Sequence, residues 1–306
     1  MGKRLHSYNA MGASVLVCCV VGCSGSPLPT GAGITRSTIP VAKKSAALLF
    51  VSTGRQDLIQ IYQANAPHQL VGQLSDGVSG PNGEAVDAAG NLYVANVNNA
   101  TVVVYPPGAT KPSRTYSQDL TNPLTPAVGN DGTLYVSNFN SDGSGAVFEY
   151  PPGKLKPNFT IPLTGGAVGL AVDADNNVYV TEYGSTGRIL KFKPHSKKGK
   201  DLGISLGFAG RLILDKKGDI IVCDQGAGAV DVFPPGATQP SKQIKGPFVD
   251  PFGLALNERE KRLFVADGAG HSLYIYSYPD LRGITTISRT ATSYGLAINP
   301  PAPLSP

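Results

Sequence analysis

The feature that most constrains this chain is an internal repeat with a period of about 43 residues. In six places a large apolar residue stands immediately before a valine, and the spacings between successive copies are 43, 42, 44, 42 and 43 residues. A period in this range indicates one small structural unit used several times, because neighbouring units bury each other's apolar faces. The residues at this anchor position are Phe50, Tyr93, Tyr135, Tyr179, Ile221 and Phe264.

Within each repeat, turn residues separate short runs of strand-forming residues. In the second repeat these runs predict an opening strand at 84–87, a second strand at 91–95 and a third at 101–105. The first turn starts at Asp87 and has Gly90 at the left-handed position. Three repeats continue after the third strand with Pro-Pro-Gly, which suits a type II turn. Short antiparallel strands at this period predict the blades of a β-propeller.

The two ends of the repeat array complement each other. The first repeat starts at residues 48–52, which align with a second strand, so its opening strand is missing. The segment YGLAINP, at residues 294–300, matches an opening strand and has no second strand after it. Pairing of these two segments would close the ring and cover the exposed sheet edges. The sequence therefore predicts an all-β, six-bladed β-propeller of four-stranded blades at residues 46–300, followed by a tail at 301–306.

Composition agrees with one β domain that is rich in turns. The chain has 306 residues with 37 glycines and 25 prolines, and only 15% of its residues are charged. Without residues 1–22 the net charge falls from +5 to +3, which is too small to indicate a nucleic-acid partner. Cys223 lies in an apolar second strand, where we expect a small buried hydrophobic residue rather than a reactive thiol.

The N-terminal residues are typical of an export signal. Residues 1–22 have a basic start and an apolar run that is too short to span a bilayer. The run ends in VVGC at residues 20–23, which resembles the lipobox of bacterial lipoproteins. The resemblance implies cleavage before Cys23, acylation of its thiol and, from Ser24, an outer-membrane destination. Residues 23–45 would then form a flexible tether; an ordinary secretory signal with an incidental Cys23 is the alternative.

The repeat also resembles a known family. The unit G-L-A-V-D-x-x-G-N-L-Y-V-A-N/D, followed by V-x-V-F/Y, is similar to NHL-type six-bladed propellers and to the related gluconolactonase and senescence-marker family. The resemblance covers about residues 46–300. It implies that opening strands begin, and second strands end, on one face around a central channel, where the family's enzymes carry their chemistry. This fold hosts hydrolases, lyases and binding modules, so the resemblance selects no function by itself.

The lactonase relatives hold a divalent cation with a Glu, an Asn and an Asp, and the last two belong to Pro-Asn-Gly and Pro-Asp-Gly motifs. Oxygen ligands of this kind suit a hard metal. In this chain only Pro81-Asn82-Gly83 fits the motif, and Glu84 is out of register with the family's glutamate. We therefore expect neither a metal nor another cofactor, and no catalytic residues of the lactonase type.

A small set of polar residues at this face remains as candidates for ligand binding. Three of them end the second strands of consecutive repeats and would form an acidic arc; alternatively, they accept N–H hydrogen bonds from the loop that follows. Glu84 is expected to face Arg211 across the channel, because burial of either charge without a partner is costly. The candidates are Asn82, Glu84, Glu182, Arg211, Asp224 and Asp267.

These observations favour a membrane-tethered extracytoplasmic module that binds or scaffolds and is not an enzyme. Its partner would be a protein, a glycan or a small ligand, and the lipid on Cys23 would attach it to the membrane of a bacterial cell envelope. One alternative is a divalent-metal-dependent hydrolase of the lactonase type at the channel mouth. Another is a structural subunit of an envelope assembly.

Overall fold

The computed structural model describes residues 47–54, 56–289 and 291–305. The expected signal (1–22), the tether (23–45) and Cys23 lie outside the described residues. Within the described ranges, 24 strands form six four-stranded antiparallel sheets, and no helix is present. The prediction of a six-bladed β-propeller with four-stranded blades is therefore confirmed. In the same ranges no helix is long and apolar enough to cross a bilayer.

Each blade is a sheet of four strands that lie side by side from the channel outward, and we number the blades in chain order. The first half of the chain contains β1 (Leu48–Thr53), β2 (Leu58–Gln63) and β3 (Leu70–Leu74) of blade 1, β4 (Pro81–Val86), β5 (Leu92–Asn96), β6 (Thr101–Tyr105) and β7 (Arg114–Tyr116) of blade 2, and β8 (Pro123–Val128), β9 (Leu134–Phe139), β10 (Gly145–Tyr150) and β11 (Phe159–Leu163) of blade 3. The second half contains β12 (Gly166–Val172), β13 (Val178–Tyr183), β14 (Gly187–Phe192) and β15 (Gly199–Leu206) of blade 4, β16 (Ala209–Leu214), β17 (Ile220–Asp224), β18 (Ala229–Phe233) and β19 (Lys242–Lys245) of blade 5, β20 (Pro251–Leu256), β21 (Arg262–Asp267), β22 (Ser272–Ser277) and β23 (Gly283–Ser288) of blade 6, and β24 (Leu296–Asn299).

Ring closure follows the prediction. β24 pairs antiparallel with β1, from Leu48 opposite Asn299 to Val51 opposite Leu296. Blade 1 therefore has the order β24-β1-β2-β3 and is completed by a strand that follows blade 6 in the chain. This pairing leaves the inner edge of β1 covered, which removes an exposed sheet edge.

The turns have the chemistry that the sequence indicates. In the Pro-Pro-Gly turn of blade 2, the Ala109 N–H donates to the Pro106 carbonyl over 3.0 Å, and Gly108 has a φ of 76°, as a type II turn requires. In the hairpin between β4 and β5, the Asp87 carboxylate accepts N–H groups from Ala89 and Asn91 at 2.9 Å each. Local polar groups thus fix the short connections between consecutive strands.

Strand bounds differ from the prediction mainly at the opening strand. The third strand has the expected bounds, and the second is shifted by one residue. β4 begins at Pro81, three residues before the predicted start, because a bulge between Pro81 and Gly83 inserts Asn82 into the ladder. Bulges at the same place in β8, β12, β16 and β20 make this irregularity a feature of the repeat.

Apolar side chains between adjacent blades form the core. Ile59 and Ile61 of blade 1 pack with Val94 and Val103 of blade 2, and all four are buried. Burying one such side chain contributes about 1.5–3 kcal/mol to the free energy of unfolding. Cys223 is also buried, between blades 5 and 6, and burial raises the pKa of its thiol. The expectation of a small buried hydrophobic residue at this position is confirmed.

Candidate functional site

The opening strands line the central channel in a shared register, so each strand position forms a layer of six residues. We call the end where opening strands begin the upper face and the opposite end the lower face. The layers, read from the upper face in blade order 2 to 6 and then 1, are Asn82, Leu124, Val168, Gly210, Phe252 and Tyr294 (layer 1); Gly83, Thr125, Gly169, Arg211, Gly253 and Gly295 (layer 2); Glu84, Pro126, Leu170, Leu212, Leu254 and Leu296 (layer 3); and Ala85, Ala127, Ala171, Ile213, Ala255 and Ala297 (layer 4).

Arg211 departs from its layer, in which four of the six residues are glycines. Arg211 is 4% exposed, and its side chain crosses the channel to blades 2 and 3, where Nη2 donates to Asn82 Oδ1 at 2.7 Å and to the Leu124 carbonyl at 3.1 Å, respectively. The guanidinium also lies 5.2 Å from the ring centre of Phe252. Burial lowers the pKa of Arg211 to about 10, and the guanidinium remains charged at neutral pH.

Glu84 departs from layer 3, in which four blades have leucine. It is 5% exposed and packs over Gly295 of blade 1, just as Leu296 packs over Gly253. Burial raises the pKa of Glu84 to about 8, against the opposing charges of Arg211 and Arg289. The carboxyl is therefore mostly protonated at neutral pH.

The sequence analysis expected Glu84 to face Arg211 across the channel, and the structure places the two residues in adjacent layers. Leu212 pairs with Val222 as Glu84 pairs with Val94, so Arg211 lies one layer above Glu84. Both side chains reach the same part of the channel, but they form no ion pair: neither Glu84 oxygen has a hydrogen-bond partner among the described residues. Their interaction is electrostatic and without direct contact.

Asp224 and Asp267 end their second strands, Glu182 is the residue before the end of its strand, and the carboxylate oxygens of all three accept backbone hydrogen bonds. Glu182 Oε1 accepts from the N–H groups of Thr164 and Gly165 at 2.9 Å each. Asp224 and Asp267 bind the corresponding loops of their own blades, at 2.7–3.2 Å.

These bonds agree with the capping alternative, with one correction. Most of the donors lie in the loop that leads into the opening strand, and only Ala227 and Gly270 donate from the loop that follows. Glu182 also forms an ion pair with Arg188, with Nε 2.5 Å from Oε2. Burial raises the pKa of Glu182, but the hydrogen bonds of Gly165, Arg188 and Thr164 outweigh it and hold the pKa below its usual value. Ligand binding by these carboxylates stays a prediction.

Aromatic side chains surround the channel at the upper face, a feature that the sequence analysis did not identify. The ring centres of Phe139 and Tyr183 are 6.0 Å apart, those of Tyr183 and Phe208 4.9 Å, and those of Phe252 and Tyr294 5.5 Å. We call these five residues, which come from five different blades, the aromatic mouth. Tyr183, Phe208 and Tyr294 are half-buried, so part of each ring remains accessible.

Below the aromatic mouth, the channel contains a cavity of about 190 Å³, which we call the chamber. Layers 3 and 4 of all six blades contribute to its wall, with Arg211 and Thr125 of layer 2. Residues 301–305 line its lower end: Pro301 bridges to Asn257 of blade 6, and the Ser305 carbonyl accepts the Ala174 N–H of blade 4 at 2.6 Å. The segment described in the sequence analysis as a tail therefore lies across the channel.

Among the described residues, no group of three or more His, Cys, Asp or Glu side chains is arranged to hold a metal ion. Asn82, the one residue that fits the lactonase motif, accepts a hydrogen bond from Arg211 through its side-chain oxygen. A cation so close to this oxygen would repel a second cation.

No protein-family model and no curated protein matches the sequence. Solved structures do match its fold. A chain in the crystal structure of a nidogen/laminin complex has a TM-score of 0.68 at 17% identity, covering 82% of this chain and 98% of that chain. A protein of unknown function from Bacteroides caccae has a TM-score of 0.64 at 12% identity, covering 83% and 99%. At these identities the similarity shows the six-bladed propeller fold alone.

Proposed function

We propose that this propeller is an extracytoplasmic binding module that holds a segment of another protein at the aromatic mouth. The observation that carries this proposal is the group of five aromatic rings, from five blades, that meet around the channel on one face. Aromatic residues are enriched at protein interfaces, because they supply a large contact area and lose little side-chain entropy on binding.

The surroundings of the aromatic mouth suit a protein ligand. Val249, in the loop between β19 and β20, lies on the upper face and is 67% exposed. Arg188 and Glu182 form an ion pair at the rim, beside Tyr183. An apolar centre with a polar rim is the usual composition of a protein interface. The similar fold in the nidogen/laminin complex occurs in a structure of two associated proteins.

Site-specific photocrosslinking in the native envelope tests this binding. We expect a crosslinking residue at Phe208 on the upper face to form a discrete protein adduct. The same residue at Leu155, which is 51% exposed in the lower-face loop between β10 and β11, should form none. Adducts of equal yield from both positions, adducts with glycan only, or no adduct at Phe208 would contradict a protein ligand at the aromatic mouth.

Once the adduct identifies the partner, affinity measurements test the individual rings. Tyr183→Ala and Tyr294→Ala should each weaken binding about tenfold or more, as alanine substitution does at interface hot spots. Phe159→Ala removes a half-buried ring near the lower face and serves as the matched control, with unchanged affinity. Unchanged affinity in both tyrosine variants would remove the aromatic mouth from the interface.

We also propose that Cys23 carries a lipid that tethers the propeller to the outer membrane, with residues 23–45 as the spacer. The VVGC sequence supports this step. Cys23→Ser should move the chain from the membrane fraction to the soluble fraction, and mass spectrometry should find the acyl mass only on the parent protein. A Cys23→Ser variant that stays in the membrane fraction would favour another mode of attachment.

The lactonase alternative receives less support from the geometry. Glu84 is buried between blades 1 and 2, and Asn82 is hydrogen-bonded to a guanidinium. Metal analysis of the purified chain distinguishes the two functions. Stoichiometric Ca²⁺ or Zn²⁺ that disappears in Glu84→Ala would favour the hydrolase over the binding module.

A further inference from the structure

The chamber exists because layer 4 of the channel is filled by small side chains. Five of its six residues are alanines, and the sixth is Ile213. Cavities of about 190 Å³ have room for several waters or for a small organic molecule. Apolar cavities tend to stay dry and to accept apolar guests, whereas ordered water needs two to four polar partners.

The wall of the chamber has few polar side chains, and one of them carries an unpaired charge. Among the residues that line it, only Glu84, Thr125, Arg211 and Ser305 have polar side chains. The Thr125 hydroxyl donates to the Val168 carbonyl at 2.7 Å, so it is already engaged. The wall therefore offers mainly Arg211 and Glu84 to a polar guest.

Arg211 is a buried cation without an anion. Its Nη2 donates only to neutral acceptors, and its Nε has no hydrogen-bond partner within the described part of the chain. Glu84, the acidic side chain in the same wall, is mostly protonated at neutral pH. A buried charge is unfavourable unless it is paired and hydrogen-bonded. Guanidinium geometry fits a carboxylate or a phosphate, and the carboxylate is the smaller and less charged of these two anions.

We propose that the chamber binds a small carboxylate with an apolar tail, with the carboxylate paired to Arg211 and the tail against layers 3 and 4. Such a ligand supplies the missing anion to the guanidinium and fills the apolar volume that the alanines leave. This site lies inside the ring, and the proposal does not rest on protein binding at the aromatic mouth.

Isothermal titration calorimetry of the purified full chain with sodium hexanoate tests the site, with 1-hexanol as a neutral probe of similar shape. We expect one hexanoate per chain and at least tenfold weaker binding of 1-hexanol. Arg211→Met removes the charge and retains an unbranched side chain, and it should weaken hexanoate binding at least tenfold. Arg114→Met, on the exposed outer strand β7, is the control and should leave the affinity unchanged.

A second pair of variants tests the volume. Ala127→Leu adds bulk to layer 4 and should abolish hexanoate binding, whereas Ala88→Leu, in an exposed hairpin, should not. If Arg211→Met does not fold, the Arg211 Nε–H resonance of the parent protein provides an independent measurement, because hexanoate should shift it. Absence of hexanoate binding, equal affinity for 1-hexanol, or binding unaffected by Arg211→Met and Ala127→Leu would each overturn the proposal.

Discussion

The opening strands of blades 4 and 6 fill layers 2 and 3 differently from those of blades 2 and 5. Blades 4 and 6 have a glycine followed by a leucine in these layers, whereas blade 2 has Glu84 in place of the leucine and blade 5 has Arg211 in place of the glycine. Glycine lets neighbouring strands approach closely, and leucine buries apolar area against the preceding blade. Blades 4 and 6 thus show what the fold requires.

Blades 2 and 5 have residues that the fold tolerates but does not require. Each places an ionisable group in a buried layer where a neutral residue suffices elsewhere, and neither group gains an ion pair in return. Buried ionisable groups of this kind lower stability unless a partner compensates them. The comparison therefore predicts that substitutions toward the common pattern preserve or raise stability, whereas substitutions of the common pattern lower it.

The largest effect is expected for the layer-2 glycine of blade 2. A Cβ at Gly83 would overlap the Leu124 carbonyl oxygen and the Arg211 guanidinium, and the carbonyl belongs to a backbone that cannot easily move. Gly83→Ala should lower the free energy of unfolding by about 4 kcal/mol, measured by chemical denaturation.

Gly184→Ala is the matched control, because the nearest atom to its added Cβ, the Thr186 carbonyl oxygen, would be 3.7 Å away. It should change the free energy of unfolding by no more than about 0.5 kcal/mol. Equal stability of the Gly83→Ala and Gly184→Ala variants would show that strand contacts across the channel are looser than described.

The next effect concerns pH. Glu84 has a pKa of about 8 in the folded protein, above its unfolded value of 4.5, so it contributes stability that is fully present below 4.5 and lost as pH rises through about 8. Glu84→Gln removes this loss. Between pH 5 and 9, the free energy of unfolding of the parent should fall by about 2–4 kcal/mol relative to that of Glu84→Gln.

Burial also raises the pKa of other carboxyls, among them Glu149 and Asp250. Subtracting the stability curve of Glu84→Gln from that of the parent removes their contribution and leaves that of Glu84. Parallel stability curves for the two proteins between pH 5 and 9 would mean that Glu84 is not buried in the folded state.

A smaller effect is expected at the lower face. A chain truncated after Pro300 loses the Pro301 bridge and the hydrogen bond from the Ala174 N–H to the Ser305 carbonyl. We expect a loss of about 1–2 kcal/mol, the usual contribution of one or two such bonds, and faster hydrogen exchange at Ala174. Unchanged exchange at Ala174 would show that residues 301–305 do not close the channel.

Most of the fold could be predicted from the sequence because its determinants are local and repeated. The anchor column gives the blade count, and Pro-Pro-Gly and Asp87 fix turns through contacts within a few residues. The layer of Arg211 could also have been predicted, because Leu212 stands nine residues before the anchor residue Ile221, just as Glu84 stands nine residues before Tyr93. Residues 301–305 carry no periodic signal, and their place across the channel depends on distant partners.

The candidate site was predicted only in part, for a physical reason. Arg211, Glu84 and Asn82 are visible as departures from the repeat, and the channel does bring them together. The aromatic mouth is not visible in this way, because its rings come from three different positions of the repeat: Phe139 and Tyr183 end second strands, Phe208 precedes an opening strand, and Phe252 and Tyr294 lie in layer 1. Packing of neighbouring blades brings these rings into contact.

The most direct test of the difference between required and tolerated residues is the free energy of unfolding of Glu84→Leu at pH 7. This substitution gives blade 2 the leucine that four other blades have in layer 3. The new side chain would lie over Gly295, just as the equivalent Leu296 lies over Gly253 in the neighbouring interface. We predict an increase of about 1–3 kcal/mol over the parent chain, because a buried carboxyl without a hydrogen bond is replaced by apolar contact. A decrease of about 1 kcal/mol or more would contradict the account, because Glu84 would then be part of what holds blades 1 and 2 together.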